Sequence, residues 1–362
     1  MHTDFRPLSA LDRHELESWQ SLADNALEPN PFFEPGFVLP ASKALADPGS
    51  VHLVRVVDGG ETVAAVPAVK HRWRRTIPAI SIWRHKYCFL GTPLVHWGRD
   101  PSDVLGTLFF GLAAETGHRA LVWEQLVDEG PAAEALRRAA HERGWQTALD
   151  VRRERAFVAR RENETYLDHL PRKRRKELAR QRRRLSETLD GELRMRNSTF
   201  DSDAAQRFMR VESAGWKGSA GTAFMSDSAD ASMFREICGN FRDRGRLQLL
   251  ELVGGDCVVA VKCNLLAGKG SFAFKIGFNE SVGRFSPGVQ LELDNLEEFH
   301  RGGAEWMDSC ADSDNQMINR LWPERRKLTS LVLTGHGTVG SATGMALKAA
   351  YRLYQRRRGI RS

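Results

Sequence analysis

The sequence has no CxxC cysteine pair and no long uncharged apolar run. Its five cysteines are odd in number, which argues against a disulfide framework or a zinc site and favours free thiols in a reducing compartment. The first twenty residues carry charges throughout, so we predict no signal peptide. No apolar run approaches the length of a membrane span. These absences predict a cytoplasmic protein.

The composition is that of a globular protein with an excess of basic residues. The chain has 362 residues, of which 41% are hydrophobic and 27% are charged, and this length is enough for two domains of ordinary size. The net charge of +7 suggests an anionic ligand or surface, but charge alone does not choose among them.

An internal repeat predicts how the chain is organised. Residues 53–69 and 249–265 each read as two β-rich runs joined by Gly-Gly, which is a strong hairpin signal. Each is followed by a helix-like segment and then by a short strand, at 120–126 and 304–310. Because the order of elements recurs, we interpret the chain as two duplicated α/β halves.

Four segments follow from this interpretation. We predict a first half over residues 1–160, a basic connecting helix over 161–200, a second half over 201–340 and a basic C-terminal helix over 341–362. The stretch "PRKRRKELARQRRRL" (171–185) has leucines at helical spacing within a basic surface. A solvated connecting helix is the interpretation that we favour; the alternative is contact with phosphates of a cofactor, RNA or a membrane surface.

The stretch "FKIGFNESVGRFSPGVQLELDNLEEF" (274–299) is the most informative in the chain. It predicts a strand, a glycine-containing loop and a helix entered through Ser286-Pro287-Gly288. Ser is a good N-cap and Pro suits the first helical turn. The N–H groups of Gly288, Val289 and Gln290 are expected to point out of the helix start, where they are able to hold a phosphate.

Several segments in their order resemble the CelD-type branch of the GNAT acyltransferase superfamily, which is similar in architecture to the Fem-type peptidoglycan transferases. They are "NPFFEPGF", "RKRRKELARQRRRL", "ESAGWKG" (212–218), "FKIGFNESVGRFSPG" and "WMDSCADSDNQMINRLW" (306–322). The resemblance implies an α/β fold of tandem GNAT-like (acyl-CoA N-acyltransferase) domains, with mixed, mostly antiparallel sheets flanked by helices. It also implies acetyl-CoA or another acyl-CoA as the donor.

The resemblance places the donor in the second half only, because the first half has no Ser-Pro-Gly. The strand around 272–278 is expected to separate from the strand at 304–310 and so to open a cleft for the pantetheine arm. The predicted donor-binding residues are Gly277, Phe278, Ser286, Pro287, Gly288, Val289 and Gln290.

Acyl transfer needs positioned reactants, an oxyanion donor and a base. A backbone N–H within 274–278 is the predicted oxyanion donor. Glu280 is the first candidate base and Asp308 the second. Lys275, Trp216 and Lys217 are the predicted contacts to the acceptor. The expected general acid, a tyrosine on the last helix, is missing from "MINRLW".

Two motifs are set aside. "GHGTVG" (335–340) fits a dinucleotide fingerprint but is not followed by a further strand with an acidic residue. "DSCADSD" (308–314) lacks the spacing of a calcium loop, so we predict no metal site.

Three functions remain open. The first is an acyl-CoA-dependent transferase acting on an amine or hydroxyl of a polysaccharide, lipid or amino-sugar precursor. The second is a tRNA-dependent aminoacyltransferase of the Fem type. The third is a GNAT-fold binding protein without catalysis. Expected partners are a small-molecule or saccharide acceptor, or an anionic acceptor or membrane surface through 70–87; DNA is not expected, and tRNA only under the second hypothesis.

Overall fold

A computed structural model describes residues 1–73, 77–115, 120–162, 166–215, 218, 220–335 and 344–345, and the side chains of 71–78 are not described. Apart from residues 344–345, the predicted C-terminal helix over 341–362 lies outside the described residues, as does most of "GHGTVG". So do Trp216 and Lys217. The chain divides into two compact units. The first comprises Met1–Ser42, Ala46–Glu154 and Lys327–Ser362, and the second Lys43–Leu45 and Arg155–Arg326. The domain limits drawn from the sequence stay predictions.

The first unit is a mixed sheet with helices. Its elements are β1 (His2–Pro7), α1 (Arg13–Asp24), α2 (Pro35–Leu45), β2 (Val51–Asp58), β3 (Glu61–Trp73), β4 (Ile77–Ile82), β5 (Leu94–Val95), α3 (Pro101–Glu115), β6 (Ala120–Val127) and α4 (Pro131–Glu142). Two further strands, β7 (Gln146–Ala159) and β13 (Glu324–Thr334), run across the boundary between the units. In this unit the strand order is β1-β2-β3-β4-β6-β13, with β5 beside β3.

The second unit repeats this plan. Its elements are α5 (Arg172–Thr188), β8 (Leu193–Asn197), α6 (Ala204–Ser213), α7 (Ser228–Asp243), β9 (Leu247–Gly254), β10 (Cys257–Ala267), β11 (Gly270–Phe278), α8 (Pro287–Arg301), β12 (Trp306–Asp308) and α9 (Gln316–Leu321). The strand order is β7-β12-β11-β10-β9-β8.

The two predicted hairpins are present. Strands β2 and β3 turn at Gly59 and Gly60, whose φ angles are 60° and 91°, and β9 and β10 turn at Gly255, at 56°. Positive φ is why glycine occupies these turns. In each unit the hairpin is followed by a strand, a helix and a further strand that pairs in parallel, β4 with β6 and β11 with β12. The repeated order confirms the predicted α/β fold of mixed, mostly antiparallel sheets.

The basic helix α5 belongs to the second unit and packs there. Leu178 and Leu185 are buried, and the side-chain amide of Gln290 on α8 donates to the Leu178 carbonyl at 3.0 Å. Arg182 also pairs with Asp294 of α8 at 2.9 Å. Its leucine stripe is therefore buried within the second unit.

Among the described helices, none is both long and apolar enough to cross a membrane.

Candidate functional site

The parallel pairing of β11 with β12 is short. It runs from Gly270–Trp306 to Phe272–Asp308 and stops there. Residues 273–278 of β11 continue beyond it, paired in the described chain with β10 on their other side. Strand β11 therefore extends beyond its pairing with β12 at the place where the sequence predicts a separation. A strand edge that has no partner strand presents backbone N–H and C=O groups that an extended ligand is able to pair with.

A β-bulge lies at the same place. Cys263 of β10 is opposite Lys275, whereas the next residue, Asn264, is opposite Ala273. Phe274 is therefore the extra residue, which bends the strand. The bulge falls inside the 274–278 stretch that is predicted to supply the oxyanion donor.

The start of α8 is open. Ser286 precedes it with φ 55° and ψ 53°, and its side chain makes no cap hydrogen bond. This corrects the expectation that Ser286 is a capping residue. A non-glycine residue in the left-handed region is uncommon and costs about 1–2 kcal/mol. Pro287 has no N–H, and no acceptor within the described chain takes the N–H of Gly288 or Val289.

Gln290 differs from its neighbours at the helix start. Its backbone N–H donates to the Ser286 carbonyl at 3.1 Å, and its buried side-chain amide binds α5. The prediction of a free N–H at Gln290 is therefore wrong, because this N–H makes the first i→i−4 hydrogen bond of the helix. Two N–H groups remain for a ligand, together with the positive end of the helix dipole.

A cavity of about 270 Å³ joins these features. It is lined by Glu212, Gly215, Ile276, Gly277, Phe278, Gly288, Asn315 and Met317. The fold thus brings the predicted residues Gly277, Phe278 and Gly288 together, at the end of β11 and the start of α8. We call this space the cleft.

Two glycines let the walls of the cleft approach closely. A Cβ on Gly277 would lie 3.0 Å from the Cα of Glu212, so α6 packs directly onto β11. A Cβ on Gly288 would lie 3.3 Å from the Phe278 ring. Both distances are shorter than an ordinary van der Waals contact between carbons.

Glu212 is the residue that the sequence reasoning missed. It is 2% exposed and lines the cleft, and its Oε2 accepts a hydrogen bond from the backbone N–H of Phe224 at 3.1 Å. Phe208 and Glu212 lie four residues apart on the buried face of α6. That spacing in "FMRVES" is the signal for an inward-facing carboxylate.

Glu280, the first predicted base, lies at the rim of the cleft. It is exposed at the start of a 3-10 segment, Glu280–Phe285. A Cβ on Gly215 would lie 3.5 Å from its Oε1, which places this carboxylate beside a cleft-lining residue. Lys275 is half-buried, with its Nζ 5.5 Å from the centre of the Phe224 ring.

Asp308, the second predicted base, is fully buried between two arginines. Its carboxylate lies 2.6 Å from Arg155 Nε and 2.7 Å from Arg326 Nη1. Burial opposes ionisation, but the two guanidinium groups outweigh it and hold the pKa of Asp308 below its ordinary value. A carboxylate so held is a poor proton acceptor near neutral pH, so these contacts favour a structural role over the predicted catalytic one.

No group of three His, Cys, Asp or Glu in the described ranges is arranged to hold a metal ion. The cleft presents the helix-start N–H groups of Gly288 and Val289, the end of β11 with its bulge, and the buried carboxylate of Glu212.

Comparisons with known proteins agree with this geometry. Residues 172–315 match the family model described as "Acetyltransferase (GNAT) domain", and this range includes α5, α6, β11, α8 and the cleft. A search of curated protein sequences gave no match.

Three solved structures share the fold. FemX is 10% identical, covers 91% of this chain and 97% of its own, with a TM-score of 0.58. A conserved protein of unknown function from Bacteroides thetaiotaomicron VPI-5482 is 12% identical, covers 92% and 99%, with a TM-score of 0.56. L-PGS from Bacillus licheniformis is 12% identical, covers 95% and 97%, with a TM-score of 0.52. At these identities the likeness concerns the fold, whereas the family match bears on the chemistry. Residues 172–315 are therefore similar to an acetyltransferase (GNAT) domain, which supports an acyltransferase activity.

Proposed function

We propose that the protein transfers an acyl group from acetyl-CoA or another acyl-CoA to an amine or hydroxyl of a polysaccharide, lipid or amino-sugar precursor. The observation that carries the proposal is the cleft between the end of β11 and the open start of α8. GNAT domains use acyl-CoA donors in general, and both features suit one.

The donor fits the cleft by its chemistry. A pyrophosphate is anionic, and the N–H groups of Gly288 and Val289 offer it two hydrogen bonds at the positive end of α8. The pantetheine arm contains amides, which are able to pair with the edge of β11 beyond Phe272 in the manner of an added strand. Because Gly277 and Gly288 have no side chains, the donor is able to approach the backbone closely at both positions.

The residues of this chain have defined parts in the reaction. Glu212 takes the proton from the acceptor amine or hydroxyl, whose lone pair then attacks the thioester carbonyl carbon. A backbone N–H within 274–278 of β11 donates to the oxygen as it becomes negative. The carbon–sulfur bond breaks and the thiolate leaves. Because a thiol has an ordinary pKa of about 8.5, the thiolate is a good leaving group without a tyrosine acid.

A direct experiment tests this function. The full-length protein is titrated with acetyl-CoA and longer acyl-CoA by calorimetry, and thiol release is then followed with a panel of amino-sugars, amines and polysaccharide fragments. Binding of at least one acyl-CoA, and acceptor-dependent thiol release, are expected. Absence of binding to every acyl-CoA would contradict the proposal.

One observation favours a second candidate, aminoacyl transfer of the Fem type from a tRNA donor. Arg172, Lys173 and Arg174 stand in the first turn of α5 and form no ion pair within the described chain. A run of unpaired cations suits a phosphate-rich polymer. The salt dependence of binding separates the two donors.

A further inference from the structure

A second cavity lies at the opposite end of β11 from the cleft. Its volume is about 190 Å³, and it is bounded by β9, β10, β11, β12 and the C-terminal half of α8. We call it the distal cavity. None of the described residues lines both spaces. Ser271 lines the distal cavity and Gly277 lines the cleft; a separation of six residues in an extended strand is roughly 20 Å.

We propose that the distal cavity binds a small organic ammonium compound, a ligand with one cationic amine and a compact apolar body. Glu298 and Ser271 would hold the ammonium group, and Leu266, Phe299 and Met307 would cover the apolar body. This site is separate from the donor and acceptor sites of the proposed function and does not depend on that function.

The first observation is a buried hydroxyl without a partner. Ser271 is 3% exposed and lines the distal cavity, and its Oγ has no hydrogen-bond partner within the described chain. Most buried polar side chains are hydrogen-bonded, so an exception at a cavity requires an explanation. Ser271 is opposite Leu266 and Met307 in the sheet, and side chains at opposed positions share a face. Its hydroxyl is therefore available to a ligand in the space that all three residues line.

Oriented acceptors complete the polar side of the distal cavity. The side-chain amide of the buried Asn264 donates to the oxygen of Gln248 at 3.2 Å and to that of Asn295 at 3.0 Å. Asn295 in turn donates to Glu292 at 3.1 Å. Gln248 and Asn295 both line the cavity. Because an amide oxygen has two lone pairs, each of these oxygens is able to accept a further hydrogen bond from a ligand.

The charge of the distal cavity favours a cation. Glu298 is half-buried, lines the cavity and forms no ion pair within the described chain, whereas the neighbouring Glu297 is paired. Glu298 stands in the last turn of α8, where the helix dipole favours a cation over a carboxylate. Lys269, which also lines the cavity, is exposed and paired with Glu305 at 2.7 Å. Arg160 binds carbonyls at the end of the helix but does not line the cavity. A bound ammonium would therefore meet an unpaired carboxylate.

The remaining walls set the size and character of the ligand. Leu266, Phe299 and Met307 are apolar, and the last two are buried. An apolar cavity of about 150 Å³ is able to hold benzene, so about 190 Å³ suits a ligand with one ring or a short chain. Apolar walls with a few convergent polar groups are typical for an organic ligand, whereas a bare metal ion would leave these walls unused.

Benzylamine and benzyl alcohol are the probes, because they share one ring and differ in the ammonium group. Their binding to the full-length protein is measured at pH 7 by ligand-observed NMR titration. The variants are Glu298→Gln and Ser271→Ala. Glu297→Gln is the matched control, since Glu297 is exposed on the same helix. Glu212→Gln tests for binding in the cleft instead, and thermal melting establishes that each variant is folded.

We expect the parent to bind benzylamine with a dissociation constant of about 1 mM or below, and at least about tenfold more tightly than benzyl alcohol. Glu298→Gln should remove this preference, and Ser271→Ala should weaken benzylamine binding several-fold. Glu297→Gln and Glu212→Gln should bind both probes as the parent does.

Three results with these probes would overturn the inference. They are absence of benzylamine binding, equal binding of the two probes by the parent, and a preference that survives Glu298→Gln. Loss of benzylamine binding in Glu212→Gln but not in Glu298→Gln would place the amine in the cleft and would overturn the inference as well. The affinity for acyl-CoA is measured separately, so each of these results leaves the proposed function standing.

Discussion

Two carboxylates lie beside the cleft, and their surroundings differ. Glu212 is buried and oriented by the Phe224 N–H, whereas Glu280 is exposed at the rim. A general base needs a fixed position within hydrogen-bond reach of the proton that it removes. The orientation of Glu212 meets this requirement, and the exposure of Glu280 suits contact with a cationic acceptor.

Glu212→Gln should lower turnover by about a hundredfold or more, the usual scale of general acid–base help. The amide oxygen of Gln still accepts the Phe224 hydrogen bond, so the fold and the donor affinity should be retained. Glu280→Gln is the matched variant and should lower turnover by much less. The measurements are kcat, KM for the acceptor and calorimetric donor affinity. Normal turnover in Glu212→Gln with loss in Glu280→Gln would restore the assignment made from the sequence.

Asp308→Asn should destabilise the protein by about 3–5 kcal/mol, because Arg155 and Arg326 would lose their buried counter-charge. The folded-state pKa of Asp308 lies below its ordinary value. Its stabilising effect is therefore present above the unfolded pKa of about 3.9 and is lost as pH falls through the folded pKa.

Urea unfolding of the parent and of Asp308→Asn at pH 7 and in steps below pH 4 measures this effect. The difference in unfolding free energy should narrow in the acid range. Glu297→Gln, which breaks an exposed pair with Arg301 at 3.2 Å, is the control and should change stability little. Unchanged stability in Asp308→Asn together with lost turnover would favour the catalytic role predicted from the sequence.

At the scale of elements, the start of α8 is built by three neighbouring features. The 3-10 segment ends at Phe285, Ser286 turns through the left-handed region, and Pro287 opens the helix without an N–H. Left-handed residues that are not glycine often mark functional sites, since the surrounding structure must offset their cost. Here the result is a helix start that Ser286 leaves uncapped.

Gly288→Ala should weaken acetyl-CoA binding about tenfold. The added Cβ lies 3.3 Å from the Phe278 ring, so it narrows the cleft and displaces its wall. A tenfold loss of affinity is the effect expected when one hydrogen bond to a charged group is lost. Gly283→Ala is the matched control in the preceding segment, because its Cβ would meet Phe278 only at 3.8 Å. Calorimetry measures the acetyl-CoA affinity of both variants, and thermal melting checks that both are folded. Equal affinities of the two variants for acetyl-CoA would contradict donor binding at this helix start.

Elements with strong local signals were predictable from the sequence. The two hairpins follow from Gly-Gly turns, and the strand, loop and helix over 274–299 follow from alternation and from Ser-Pro-Gly. The left-handed φ of Ser286 was not predictable, because serine has no preference for that region. The position of Glu212 was not predictable either, since it depends on the close contact of α6 with Gly277.

For the molecule as a whole, the net charge of +7 does not reveal which cations face a ligand. Arg155 and Arg326 neutralise Asp308, and Arg182 pairs with Asp294. The cations without an ion pair in the described chain include those of the first turn of α5. Whether these bind a compact donor or a long polymer is a question about the full-length protein.

Salt dependence answers that question. A tRNA donor held through six to ten phosphates should lose roughly three to five decades of affinity between 50 and 200 mM salt, whereas coenzyme A, with few phosphate charges, should lose far less. We expect acetyl-CoA to bind measurably, with an affinity that falls only slightly as salt is raised. We expect tRNA to bind the full-length protein weakly. Replacing the exposed Arg172 and Lys173 by Gln should leave acetyl-CoA affinity within a few-fold, because neither lines the cleft. Tight, steeply salt-dependent tRNA binding that this double change abolishes would favour the Fem-type donor instead.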